Sequence, residues 1–344
     1  MQEVITDIDQ IDPAWLTRVL QERDVLTHGQ VVGVRKQAIR ANTATAAILE
    51  VDYSDAASPS APRRLFAKLG RRRIEVEFYN RIALAMPVSP AARCYDAAYS
   101  AETGRTHLLF EDLSATHTSP KDELPPRLPD TERLVDSLAA FHAYWWQHPR
   151  LQTEIAEIAE DVPAYVIGVA RDCYPGFVDV LGDGLSNERR RLYERILSSW
   201  PLPSYTARLA AGHAVTLVHG DTHMWNFLAP RDPAVDKVRI VDWAVWHIGV
   251  GPFDLAYMIG LSWFPERRAR MEQALLRQYH ARLLERGVVG YDWEQCWLDY
   301  RTALIYHLLW PIFWHRYLPA SIWWYGLEKG MLAFEDLGCE ELLS

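Results

Sequence analysis

The chain has few cysteines, no surplus of positive charge and no apolar run long enough to cross a bilayer, and each shortage removes a class of protein. Its four cysteines, Cys94, Cys173, Cys296 and Cys339, are widely separated and form neither a CxxC pair nor a dense framework, so reduced thiols in a cytoplasmic protein are expected. Only 36 Lys and Arg stand against 45 Asp and Glu, a formal charge of −9. A nucleic acid would be drawn to such a chain only at a local basic patch, so it is not expected as the general partner. The most apolar stretch, Ala303 to Trp314, is shorter than the roughly 20 residues a membrane helix needs and contains Pro311. It reads as a buried helix, and no membrane partner is expected. The N-terminus lacks the basic and apolar regions of a secretory signal, so export is not expected either.

What is present is ample apolar material. About half of the 344 residues are apolar, enough for one substantial core or for two lobes. Asp12-Pro13 caps a short leading helix whose Leu16, Val19 and Leu20 mark one face. Val31 to Ile39 and Thr45 to Tyr53 then read as a β-hairpin around the turn Arg40-Ala41-Asn42-Thr43. After a Ser-, Ala- and Pro-rich loop, Leu65-Phe66-Ala67-Lys68-Leu69 resumes a strand with a lysine inside it. A helix over Ile74 to Leu84 and a strand over Thr106 to Phe110 complete a β-β-β-α-β order. Ser119 to Asp130 reads as a linker, and helices dominate after it, the first carrying Leu134, Leu138, Phe141 and Trp145 on one side. Two short strands, Val215 to Val218 and Val238 to Val241, interrupt the helices.

Polar groups concentrate after the first of these strands, in His219-Gly220-Asp221-Thr222-His223-Met224-Trp225-Asn226, and Asp242 ends the second. Phosphoryl transfer needs in-line positioning and neutralisation of charge on the triphosphate more than covalent help. Asn226 and Asp242 offer hard oxygens for Mg²⁺, and a carboxylate at Asp221 can orient or accept the proton of an attacking hydroxyl.

The pattern HGDxHxxN, followed by Asp242-Trp243 and by Gly251-Pro252-Phe253-Asp254-Leu255-Ala256, resembles the signature shared by aminoglycoside kinases, choline kinases and ecdysteroid-kinase-like proteins, all relatives of the protein-kinase fold. The resemblance covers roughly residues 30 to 340. It implies a bilobal α+β fold, with a mainly antiparallel β N-lobe and hinge in residues 1–113 and a mostly helical C-lobe in 114–344. It also implies ATP and Mg²⁺ as cofactors, Asp221 as catalytic base, Asn226 and Asp242 as metal ligands, and His219 and Asp254 as supports of the catalytic loop. Lys68 matches the phosphate-binding lysine, and Glu75 its helix partner with Glu77 as the alternative; Glu111 and Leu113 fall in the hinge that meets adenine. The turn from Arg40 to Thr45 departs from protein kinases in having no glycine, so the hydroxyls of Thr43 and Thr45 are the candidates there for phosphate contact.

The acceptor is expected to be a small-molecule hydroxyl, of an antibiotic, an amino alcohol, a sugar or an aromatic-ring metabolite. The net charge and aromatic load are compatible with a cationic or aromatic one, and His223, Tyr306, Trp310 and Trp314 are the candidate contacts. Core packing is the competing account of the last three. Two other functions compete with the kinase reading. A zinc hydrolase would use the cluster His219, Asp221 and His223, and a pseudokinase would bind nucleotide as a regulator. The second ordinarily lacks the lysine, the base or a metal ligand, and all are present here.

Overall fold

The computed structural model describes residues 4–39, 44–119 and 124–343, and the candidate contact Thr43 lies outside the described residues. By their internal contacts the residues cluster into two compact units: Met1–Thr118 with Leu228–Ala244, and Ser119–Phe227 with Val245–Ser344. The division is discontinuous in sequence, because a short stretch following Asn226 clusters with the first unit.

The first unit is built on an antiparallel sheet of β1 (Val31–Ile39), β2 (Thr45–Tyr53), β3 (Arg64–Gly70), β4 (Cys94–Ser100) and β5 (Arg105–Glu111), in the order β1-β2-β3-β5-β4. Strand periodicity sorts β3 into two faces. Leu65, Ala67 and Leu69 are buried, whereas Phe66 and Lys68 point the other way. Helix α1 (Pro13–Glu22) starts where Asp12 accepts from the Trp15 N–H at 2.7 Å, with Pro13 in the first turn. Its Trp15, Leu16, Val19 and Leu20 join Leu49, Val51, Leu65 and Leu109 in one core.

Two features of this unit differ from the pattern read in the sequence. The stretch expected as one helix over Ile74–Leu84 is a single α-turn, α2 (Arg73–Glu77), followed by a π-helical turn at Phe78–Ile82 and a 3₁₀ turn at Ala83–Ala85. The strand β4 was hidden because Asp96 lies in its middle. That carboxylate is buried, and the His107 ring nitrogen Nε2 meets it at 2.9 Å, which offsets the cost of placing a charge in a sheet. A small sheet of β6 (His117–Thr118), β8 (Phe227–Pro230) and β9 (Arg239–Ile240) completes the unit.

The second unit is mainly helical: α3 (Leu128–Trp145), α4 (Glu154–Ile158), α5 (Val162–Leu181), α6 (Asn187–Ser199), α7 (Pro203–Ala211), α8 (Pro252–Leu255), α9 (Pro265–Glu285), α10 (Trp293–His307), α11 (Trp310–Trp314) and α12 (Ala320–Asp336). A two-stranded antiparallel ladder, β7 (Thr216–Val218) with β10 (His247–Gly249), lies among them. The stretch Ala303–Trp314, expected as one buried helix, is broken at Leu308-Leu309. Pro311 has no N–H for a continuing helix and sits instead in the first turn of α11. No helix of the described residues is long and apolar enough to cross a membrane.

Candidate active site

In the first unit, β3 and α2 bring a lysine between two carboxylates. Lys68 Nζ lies 2.7 Å from Glu75 Oε1 and 2.7 Å from Asp242 Oδ1. Glu77 is engaged elsewhere, with Arg73 at 3.2 Å and Arg81 at 3.0 Å, so the structure pairs the lysine with Glu75. Burial alone would lower the Lys68 pKa, but Glu75 and Asp242 outweigh it and the net direction is upward. The Glu75 carboxyl is pushed up by its burial, with Lys68 acting against that. Asp242 has φ +62°, in the left-handed region that few side chains other than Asn and Asp tolerate. The neighbouring Trp243 anchors this turn: it is fully buried, stacks on Phe78 at 4.0 Å between ring centroids and donates from its indole N–H to the Ile240 carbonyl. Such backbone strain persists where its surroundings fix it, and often at functional sites.

In the second unit, β7 delivers the loop that carries Asp221. Gly220 has φ +85°, and a Cβ there would stand 2.5 Å from the Val245 carbonyl, so the turn requires glycine. The loop is held from below by Asp254 of α8, whose carboxylate accepts from the His219 N–H at 2.8 Å and the Gly220 N–H at 2.9 Å. The Thr222 hydroxyl donates to the Asp254 carbonyl, and the Asp221 N–H donates to His219 Nδ1 at 3.2 Å. His219 thus braces the loop. Asn226 closes it by donating from its amide nitrogen to the Asp221 carbonyl at 2.8 Å, which leaves the amide oxygen as the group available to a cation.

The electrostatics of the loop keep Asp221 ionised. Burial would raise its pKa, but the charge and hydrogen bonding of His223, 3.4 Å away, followed by the Tyr257 hydroxyl and His219, more than offset this, and the net direction is well below the usual carboxylate range. Asp254 is fully buried, which also opposes its charge. The hydrogen bond from His142, foremost, and the loop's own groups hold its pKa below the ordinary value.

Other candidates are placed less centrally. Thr45 opens β2 and is exposed. Glu111 ends β5, where its backbone and side chain both bind Arg93, while the Leu113 carbonyl accepts from the N–H groups of Thr116 and His117. Tyr306 belongs to α10, apart from Trp310 and Trp314 of α11, and is wholly buried against Phe253 and Trp200. Trp310 is nearly buried, and Trp314 is half-buried. Both indoles edge against the Tyr257 ring, which lies 6.4 Å from His223. Among the described residues no group of three or more His, Cys, Asp or Glu is arranged to hold a metal, so the His219, Asp221 and His223 cluster does not form a zinc site.

Sequence reasoning missed His142, Tyr257 and Tyr279. His142 left a signal: it follows Phe141 on the apolar face of α3, where a histidine is out of character unless it is bonded.

The solved structures that resemble the chain are kinase-like, and likeness at their level of identity defines the fold. A Ralstonia eutropha protein assigned as an aminoglycoside phosphotransferase shares 16% identity over 95% of this chain and 97% of its own, at a TM-score of 0.55. The choline kinase of Streptococcus pneumoniae shares 14% over 94% and 98%, at 0.51. An aminoglycoside phosphotransferase solved with GDP and kanamycin shares 15% over 95% and 98%, at 0.52. The fold is therefore the bilobal α+β fold of the kinase-like phosphotransferases, with an antiparallel β lobe and a mostly helical one. More particularly, the chain belongs to the ecdysteroid kinase-like family, whose model matches residues 75–287, more than half of it. No curated protein matches it.

Proposed function

We propose that the chain transfers the γ-phosphoryl group of ATP to a hydroxyl of a small molecule, giving a phosphate ester and ADP. The observation that carries this reading is Lys68, kept charged by Glu75 and Asp242 at 2.7 Å each. A partly buried lysine fixed in this way supplies positive charge to nucleotide phosphates without having to reorganise. Asp221 orients the acceptor hydroxyl and takes its proton as the bond to phosphorus forms. A carboxylate with a depressed pKa is a weak base, which suits a loose transition state in which the proton moves late. Asn226 and Asp242 are the residues that would hold Mg²⁺; both present hard oxygens, and the Asp242 side chain retains 42% exposure. Bound Mg²⁺ neutralises charge on the triphosphate.

The nucleotide-side assignments extend to Thr45, Glu111 and Leu113, and the acceptor side to His223, Tyr306, Trp310 and Trp314. The rings around Tyr257 favour an acceptor with an aromatic, apolar or quaternary ammonium body. The test is ADP release from ATP, with GTP in parallel because some structural neighbours hold GDP. The acceptors are an ecdysteroid, choline and kanamycin, the compounds that the family and its neighbours name. Phosphorylated product from at least one acceptor, lost in Asp221→Asn, is the expected result. ADP release that is indifferent to every acceptor and to that substitution would remove the proposal.

A further inference from the structure

Behind the Asp221 loop runs a buried chain of hydrogen bonds that the proposed chemistry does not itself use. The Tyr279 hydroxyl of α9 meets His142 Nδ1 at 2.8 Å, and His142 Nε2 meets Asp254 Oδ2 at 3.1 Å. His142 and Asp254 are fully buried, as is Tyr279. The tautomer follows from the partners. Asp254 is an acceptor for the His219 and Gly220 amides, so Nε2 carries the proton towards it, and Nδ1 must accept from the Tyr279 hydroxyl.

A second observation ties this chain to the sequence motif. Gly251, the glycine that precedes Asp254 in Gly251-Pro252-Phe253-Asp254, has an ordinary negative φ, so its backbone does not demand glycine. A Cβ on it would lie 2.0 Å from the Tyr279 hydroxyl and 3.2 Å from His142 Nδ1. The hydrogen bond between Tyr279 and His142 fills the space that a side chain at position 251 would take. Gly251, His142, Tyr279 and Asp254 thus form one assembly drawn from the loop before α8 and from α3, α9 and α8.

We propose that His142 and Tyr279 are positioning residues for phosphoryl transfer: by fixing the Asp254 carboxylate they set the peptides of His219 and Gly220 and hence the placement of Asp221. The proposal rests on the kinase reading. A misplacement of Asp221 by about an ångström costs rate rather than nucleotide affinity, because Asp221 acts on the acceptor. In a low-dielectric interior, the loss of one buried partner also leaves the others unsatisfied.

Turnover is measured with Mg-ATP and whichever of the ecdysteroid, choline and kanamycin turns over fastest, in the whole chain and per folded molecule. Tyr279→Phe should lower kcat roughly 3- to 10-fold and His142→Leu roughly 30- to 100-fold, with the KM for ATP unchanged. His142→Gln, whose amide can still donate to Asp254, should recover most of the loss. Gly251→Ala should be impaired and should improve when combined with Tyr279→Phe, which vacates the contested space. Amide exchange of the peptide carrying His219 and Gly220 supplies a readout independent of turnover: His142→Leu should speed it without altering exchange in α12. Unchanged kcat in His142→Leu and Tyr279→Phe beside an inactive Asp221→Asn overturns the proposal and spares the kinase reading. So does equal damage from His142→Gln and His142→Leu, or unaltered exchange at His219 and Gly220. Activity that survives in Asp221→Asn instead overturns the kinase reading, and the proposal with it.

Discussion

At the scale of single residues, two carboxylates of the helical unit share a depressed pKa but serve different ends. Asp221 has its side chain 28% exposed and faces His223; Asp254 is sealed in and spends its oxygens on backbone N–H groups. Asp221→Asn keeps the shape and removes the proton affinity, so turnover should fall by about 10²–10⁴-fold with nucleotide binding and the melting temperature near wild type. Steady-state kinetics beside a thermal melt check this. Asp254→Asn should instead cost stability, about 2–4 kcal/mol at neutral pH, because an amide cannot accept all the bonds the carboxylate does. The pH dependence has a definite sign. A carboxyl whose folded pKa is depressed stabilises fully above its unfolded pKa of about 3.9, and that contribution disappears as pH falls through the lower folded value. The stability gap between wild type and Asp254→Asn should therefore be constant from about pH 5 to 8 and narrow below about pH 4. Denaturant melts across that range measure it, and a gap that widened in acid would contradict the assignment.

At the scale of elements, β3 and α2 form a device that depends on both. The strand turns Lys68 away from the core, and the single α-turn places Glu75 against it. Lys68→Ala leaves a buried carboxylate without its cation, so Glu75 is expected to take up a proton, which limits the stability loss to about 1–3 kcal/mol. ATP use should suffer far more, with kcat/KM for ATP down at least 100-fold and about 3 kcal/mol of transition-state stabilisation gone. Unchanged ATP kinetics would show that the lysine is merely structural. Much of this was legible in the sequence: apolar alternation marked β1, β2, β3 and β5, and the polar cluster after β7 stood out against its apolar strand. What remained hidden depended on partners far along the chain. Asp96 concealed β4 because its histidine lies on the next strand, and His142 gave little sign of its role because Asp254 and Tyr279 sit on distant helices. The break between α10 and α11 was readable from Pro311 and was masked by the apolar run around it.

At the scale of the whole molecule, what the proposed reaction would ask of the protein is a divalent cation. The choice of ion follows from the donors. Asn226 commits its amide nitrogen to the Asp221 carbonyl and so presents oxygen; Asp242 gives one carboxylate oxygen to Lys68 and keeps the other. Oxygen donors of this kind suit Mg²⁺ or Mn²⁺, whereas zinc is favoured by thiolates and imidazoles. The thiols do not compete. Cys173, Cys296 and Cys339 are buried, and burial pushes the last two up to about 12, so neither is a thiolate at neutral pH. His219 is a poor imidazole ligand, because Nδ1 accepts from the Asp221 N–H and the ring proton then sits on Nε2. Chelation should therefore abolish acceptor phosphorylation while leaving the fold intact, and millimolar Mg²⁺ or Mn²⁺ should restore it. Circular dichroism before and after chelation checks the fold, and product phosphate checks the recovery. Restoration by stoichiometric Zn²⁺ alone would mean that nitrogen ligands hold the metal, and the roles of Asn226 and Asp242 would have to be given up.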